Sequence, residues 1–184
     1  MKRLFLGIPL PEEVKEKIRV LLKEIYAVRG DFSFVPVENL HITVKFLGDV
    51  AESEIHSLSE KVLSVVQNYH PFPALVQGVS AFPRPERIAV LWVGVQCAEL
   101  LPLFKDIHGA LEYVWKEERE DVPHVTLLRV KSGRKQGKLQ HLLQRFQNLR
   151  FGKMTIDRVV LYESHLLPEG PVYKVVQEFC FGTH

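Results

Sequence analysis

Two short stretches carry residues able to act as a pair. His41-Ile42-Thr43-Val44 and His124-Val125-Thr126-Leu127 repeat the lettering His-x-Thr-apolar 83 residues apart. Polar and apolar residues alternate in both, which predicts two half-buried strands with His and Thr on one face and Ile42, Val44, Val125 and Leu127 on the other. Brought together, they make one site with two imidazoles and two hydroxyls. An unperturbed pKa of ~6.5 lets one imidazole be neutral and the other charged near neutral pH, which suits a proton acceptor facing a proton donor. Threonine hydroxyls can donate to oxygens on which charge builds during a reaction. Metal binding is the competing use of histidine. The chain lacks His-Glu-x-x-His and a cysteine ligand set, and no acid lies in either His-x-Thr run, so a metal-free mechanism is preferred.

The elements around these stretches are legible from their periodicity. Residues 3–9 alternate enough for a first strand; Pro9 and Pro11 cut the apolar run too short for a signal peptide. Pro11-Glu12-Glu13 opens a helix in which Val14, Ile18, Leu21, Leu22 and Ile25 form one stripe, until Gly30-Asp31 breaks it. A short strand over 32–35 and a bend at Pro36 lead into the first His-x-Thr strand, with its end placed at Gly48-Asp49. A second helix is predicted over 52–68, strands over 74–82 and 87–96, and a third helix from 98 to about 115. After the second His-x-Thr strand come a helix over about 135–147 and strands over 151–162 and 171–181. Runs of adjacent strands favour antiparallel pairing. Both motifs lie in a helix, motif strand, helix order. This predicts a diverged duplication whose approximate two-fold brings the motif strands together across a cleft.

A chain of 184 residues suffices for one sizeable core or two small lobes sharing one, so residues 1–184 are read as a single bilobal unit. Apolar residues at 46% and charged residues at 25% are ordinary for a soluble globular protein, and no apolar run approaches the ~20 residues of a membrane span. Cys97 and Cys180 form no metal pattern or disulfide framework and read as reduced thiols of a cytoplasmic protein. A net charge of +2 does not by itself imply nucleic-acid binding. Between Arg129 and Arg158, however, nine basic residues face one acid, Asp157. That stretch is either a positive rim beside the second motif or a solvated basic helix and loop.

Further stretches extend the pattern: Lys45-Phe46-Leu47-Gly48 after the first motif, Leu91-Trp92-Val93-Gly94-Val95, Pro123 before and Leu128-Arg129 after the second motif, and Glu163-Ser164 with Gly170-Pro171-Val172-Tyr173. On these residues, spanning nearly the whole chain, the protein resembles the 2′-5′ RNA ligase, or RNA 2′,3′-cyclic phosphodiesterase, group of the two-histidine phosphoesterase superfamily. The resemblance implies an α+β, bilobal, duplicated fold with antiparallel sheets around a central cleft and helices outside. It also implies one catalytic histidine per lobe, no metal and no cofactor. By the same resemblance His41 is the proton donor to a ribose 3′ oxygen and His124 the proton acceptor from water, which leaves a 2′-phosphate. Thr43 and Thr126 would bind the phosphate oxygens. The implied substrate is RNA with a 2′,3′-cyclic phosphate end, tRNA fragments included. An RNA 5′-hydroxyl in place of water would join ends through a 2′-5′ bond. A monomer without a membrane partner completes the expectation. The alternative is a non-catalytic module binding a nucleotide or RNA end on the same fold; intact His and Thr in both copies weigh against it.

The resemblance also points to Arg129 as a phosphate contact. Strict alternation from His124 puts Arg129 on the opposite face, so a bulge is needed to turn it inward. Lys45 shares the His41 face, where a strand-end lysine is usually solvated. Phe82, Trp92 and Tyr173 are either base-stacking rings or core aromatics. His56 lies off its helix stripe, and His70, His108, His141, His165 and His184 show no spacing that argues for a role.

Overall fold

Pro11 enters the first helix extended, at φ −68° and ψ 150°, and Glu12 and Glu13 meet the positive end of the helix dipole. That helix, α1 (Glu12–Tyr26), buries the predicted stripe of Val14, Ile18, Leu21, Leu22 and Ile25. In the computed structural model, which describes residues 1–112, 122–132, 136–168 and 170–182, the other helices are α2 (Glu52–Val66), α3 (Leu100–Ala110) and α4 (Gln136–Phe146). The strands are β1 (Lys2–Pro9), β2 (Phe32–Phe34), β3 (His41–Val50), β4 (Phe72–Arg84), β5 (Arg87–Gln96), β6 (His124–Val130), β7 (Arg150–Ile156), β8 (Arg158–Leu167) and β9 (Gly170–Cys180). The charged segment 116–121, the far end of the third predicted helix, the first residue of the fourth and His184 lie outside the described residues.

The strands form one curled antiparallel sheet in the order β7-β4-β5-β6-β3-β1-β8-β9, with β2 added on β6. Its centre is a single registered pair, Ile42 opposite Val125, both 0% exposed. These are the same position in the two His-x-Thr copies. Outward from that pair the neighbours match in order: β5 beside β6 as β1 beside β3, then β4 as β8, then β7 as β9. The expected two-fold therefore runs between Ile42 and Val125. Helices cover one face, α1 and α4 against β7, β4 and β5, and α2 and α3 against β9 and β3. The buried stripes of strands and helices join in one hydrophobic cluster on that side. Among the described residues no helix is long and apolar enough to cross a membrane, and Cys97 and Cys180 form no disulfide.

Two of the predicted strands need correction. The run read as one strand over 151–162 is two strands, broken at Asp157, with β7 on β4 in one half and β8 on β1 in the other. Apolar alternation continues on both sides of the break and so conceals it; the Asp157 carbonyl is held by the Phe181 N–H at 2.8 Å. The first motif strand also does not stop at Gly48. It continues to Val50, because Gly48 takes φ 67° at an irregularity opposite Leu4 and pairing resumes beyond it.

Both motif strands carry a bulge, three residues after the histidine in each. β1 pairs Leu6 with Lys45 and Gly7 with Thr43, passing over Val44. β5 pairs Leu91 with Leu128 and Trp92 with Thr126, passing over Leu127. Each strand consequently buries two successive residues, Val44 and Lys45 in one and Leu127 and Leu128 in the other, and the alternation inverts beyond them. Lys45 is thus not a solvated neighbour of His41: it is 4% exposed and lies opposite Leu6 on the helix-covered face. A bulge withdraws a carbonyl from the ladder, and both are satisfied from elsewhere. The Val44 carbonyl accepts from His108 Nε2–H at 2.7 Å, and the Leu127 carbonyl from the Val35 N–H at 2.9 Å. His108, on α3, is a residue that sequence spacing did not single out. His108→Leu leaves the Val44 carbonyl buried without this donor and is expected to cost ~1–3 kcal/mol in urea unfolding. His108→Gln, which restores an N–H, should recover much of that loss; equal stability of His108→Leu and the parent would refute the role.

Candidate active site

Among the described residues the helices all pack on the other face, and this face carries the side chains of both motifs. The Ile42–Val125 pairing sets His41 toward Thr126 and Thr43 toward His124. Both imidazoles are fixed the same way. His41 Nδ1–H donates to the Asn39 carbonyl at 2.7 Å, and His124 Nδ1–H to the Val122 carbonyl at 2.6 Å, two residues upstream in each case. Each Nε2 is left as the reactive nitrogen. His41 Nε2 lies 3.0 Å from Thr43 Oγ1, which donates to the neutral ring and accepts from the imidazolium. The first anchor is itself held, since Asn39 Nδ2 donates to the Pro171 carbonyl of β9 at 2.7 Å.

Aromatic rings pack around both imidazoles. His41 lies against Phe5 (centroids 4.9 Å) and edge-on to Tyr173 (5.5 Å, 84°), with Tyr162 at 6.4 Å. Gly7 makes room for it, because a Cβ there would sit 3.2 Å from His41 Cδ2. His124 meets Phe82 edge-on (5.0 Å, 83°) and Trp92 at 5.7 Å. Phe82, Trp92 and Tyr173, read from sequence as stacking rings or core aromatics, thus all flank the imidazoles. Phe5 and Tyr162 were not foreseen, since both fall within strand alternation that carries no mark of a site.

Burial lowers the pKa of both histidines. His41 is depressed first by desolvation, against the opposing Asn39 hydrogen bond, and further by the charge of His124. His124 is depressed by desolvation, against its Val122 hydrogen bond, and further by the Arg129 guanidinium. Arg129 also acts on Tyr173, whose phenol burial raises and Arg129 and Arg3 lower. The bulge at Leu127 is what brings Arg129 to this face. The equivalent inversion in β3 turns out Phe46, which is 48% exposed and 6.1 Å from Phe5. His41, Thr43, His124, Thr126 and Arg129 therefore share one face.

The basic stretch after the second motif divides. Arg145 pairs with Glu24 at 2.8 Å, and Arg158 with Asp157 at 2.9 Å. Arg150 and Lys153 stand opposite Gln77 and Leu75, on the same face as the motifs at the outer edge of the sheet. Arg134 and Lys135 lie outside the described residues. His56 pairs with Glu60 and His165 with Glu163. Among the described residues no group of three or more His, Cys, Asp or Glu side chains is placed to hold a metal ion.

Comparison with known proteins agrees with this geometry. The model of the LigT-like phosphoesterase family matches residues 8–92 and 93–173, dividing the chain between its two motifs. The RNA 2′,3′-cyclic phosphodiesterase of Methanocaldococcus jannaschii is 36% identical over 178 residues, covering 96% of this chain and 99% of that protein. The protein of the same name from Methanothermobacter thermautotrophicus is 35% identical over 182 residues, covering 96% of this chain and 97% of its own length. A crystal structure of a Thermus thermophilus protein superposes with a TM-score of 0.79 at 27% identity, over 99% of this chain and 100% of that one. With two His-x-Thr strands meeting about a local two-fold and full-length relatives of this kind, the chain belongs to the LigT-like phosphoesterase family.

Proposed function

We propose that this chain hydrolyses RNA ends that carry a 2′,3′-cyclic phosphate, without a metal, with both halves acting as one unit. The observation that carries the reading is the pairing of Ile42 with Val125, which gathers two anchored imidazoles and two threonines on one uncovered face. His124, neutral at Nε2, takes a proton from water as its oxygen attacks phosphorus. His41, as imidazolium, gives a proton to the departing ribose 3′ oxygen, so phosphate stays on the 2′ oxygen. Thr43 and Thr126 donate to the non-bridging oxygens, where charge accumulates, and Arg129 adds a fixed positive charge beside His124. We extend the reading to a monomer of the cytoplasm acting on RNA ends, tRNA fragments among them. A binding module without turnover has less support, because it needs neither the fixed ring orientations nor the electrostatic coupling of the two imidazoles.

An oligoribonucleotide ending in a 2′,3′-cyclic phosphate tests the reading directly. In the presence of EDTA it should be converted to the 2′-phosphate, identified by phosphorus NMR. A 3′-phosphate as main product rejects His41 as donor, and activity lost to EDTA and restored by a divalent ion rejects the metal-free route.

The pH dependence follows from the lowered pKa values. The acceptor must be neutral and the donor charged, so the profile rises as His124 loses its proton and falls as His41 loses its own. Both are depressed in the free protein, so both limbs of kcat/KM should lie below about 6.5, as values of the coupled pair. A bound cyclic phosphate is an anion and favours imidazolium, so the falling limb of kcat should lie at higher pH than that of kcat/KM. Coincident profiles centred above neutrality would contradict this account.

A further inference from the structure

The two copies of the motif differ in what stands behind each histidine. In both, the residue two before the histidine gives its carbonyl to the ring: Asn39 to His41 Nδ1–H at 2.7 Å, and Val122 to His124 Nδ1–H at 2.6 Å. Beyond that contact the copies part. Val122 has a hydrocarbon side chain, and its segment is held by the adjoining strand, where the Val95 N–H donates to the Pro123 carbonyl at 3.1 Å. Asn39 has a carboxamide, whose Nδ2 donates to the Pro171 carbonyl at 2.7 Å, 132 residues along the chain. A carbonyl only accepts, so the amide must present its nitrogen there.

This tie joins elements that the sheet keeps apart. β1 and β8 lie between β3 and β9, and β9 is the edge strand. Pro171 stands opposite Leu166 at the end of the β8–β9 hairpin, where Leu166 and Leu167 are 66% and 50% exposed, so apolar packing does little to seat it. Two residues on from Pro171, Tyr173 meets Phe5 at 4.8 Å and the His41 ring edge-on at 5.5 Å. One side chain therefore links the carbonyl that aims His41 to the strand whose ring lies against it. In the second copy the flanking Trp92 belongs to β5, which the ladder itself joins to β6.

A proton donor tolerates little error of aim, since a misplacement of about 1 Å can lower a rate by ~10²-fold. We propose that Asn39 is a positioning residue for the donor: its side chain holds the β8–β9 hairpin and the carbonyl anchor of His41 in one geometry, so that Nε2 faces the departing 3′ oxygen. The proposal rests on the two-histidine reading above. There the oxygen of water bonds to phosphorus and its proton passes to His124; the bond from phosphorus to the 3′ oxygen breaks, and that oxygen takes the proton of His41. Asn39 acts through His41 and not on the phosphate.

Two substrates separate aim from architecture: a nucleoside 2′,3′-cyclic phosphate, and its analogue with sulfur in place of the 3′ oxygen. Sulfur departs with the electron pair as a thiolate and needs no donor. Asn39→Val, which gives the first copy the side chain of the second, and Asn39→Ala should each lower kcat on the oxygen substrate by about tenfold or more, with KM unchanged. On the sulfur substrate both variants should stay within about threefold of the parent, which also shows that they fold, and His41→Ala should be rescued in the same way. Equal loss on both substrates makes Asn39 merely structural and overturns the proposal while the hydrolase reading stands. Full activity of both variants, or a rise in KM alone, overturns it as well. If sulfur fails to rescue His41→Ala, the donor assignment falls and the proposal with it; a parent inactive on the oxygen substrate refutes the two-histidine reading itself.

Discussion

One backbone pairing holds the two halves in working relation. β3 and β6 meet in register at Ile42 and Val125 alone, whereas β1 and β3, or β4 and β5, pair along most of their length. With one residue from each copy of the motif at this seam, the four reactive side chains take their places from the period-two geometry of a strand. A slip of one residue on either side would send an imidazole into the helix-covered core. Register here is protected by burial: Ile42, Val125 and Leu127 are 0% exposed, and the alternate register would bury His or Thr in their stead.

The bulges add what a regular ladder lacks. Pure alternation would carry each motif strand onward with Lys45 and Leu128 on the reactive face. Passing over one residue in each strand substitutes Phe46 and Arg129. An uncharged ring thus stands on the His41 side and a cation on the His124 side, from a device common to both halves. Local symmetry builds the site and the residues at the inverted positions differentiate it. The same asymmetry appears one strand away, where Gly7 lies opposite Thr43 and Trp92 opposite Thr126. Gly7 leaves space that the His41 ring occupies; Trp92 fills its position and flanks His124.

Preorganisation of the imidazoles is paid for in solvation. Each ring is drawn out of water among aromatic neighbours, which disfavours its charged form, and each recovers part of that cost through a hydrogen bond to a carbonyl of its own chain. Those carbonyls, of Asn39 and Val122, are local to the motifs. The burial comes from Phe5, Tyr162 and Tyr173 around one ring and from Phe82 and Trp92 around the other, on strands distant in sequence. Which atom orients each ring is therefore a local matter, and ring basicity a tertiary one.

The sequence by itself determined the elements whose period is unbroken and the residues that share a face within them. The stripe from Val14 to Ile25 specifies α1, and alternation in each His-x-Thr run places His beside Thr, because both rest on repeats set by backbone geometry alone. Even for Arg129 the alternation sets the condition, a bulge, and the doublet Leu127-Leu128 is its visible trace; in β3 the polar Lys45 disguises the same event. Only the tertiary structure decided where the ladder passes over a residue, because a bulge is fixed by the partner strand and by whatever donates to the freed carbonyl, here His108 and Val35 from distant segments. It likewise decided the crossing at Asp157, where continuous alternation serves two different halves of the sheet. The tie from Asn39 to Pro171 was equally beyond reach, since the two residues meet only once the β8–β9 hairpin is packed beside the first motif.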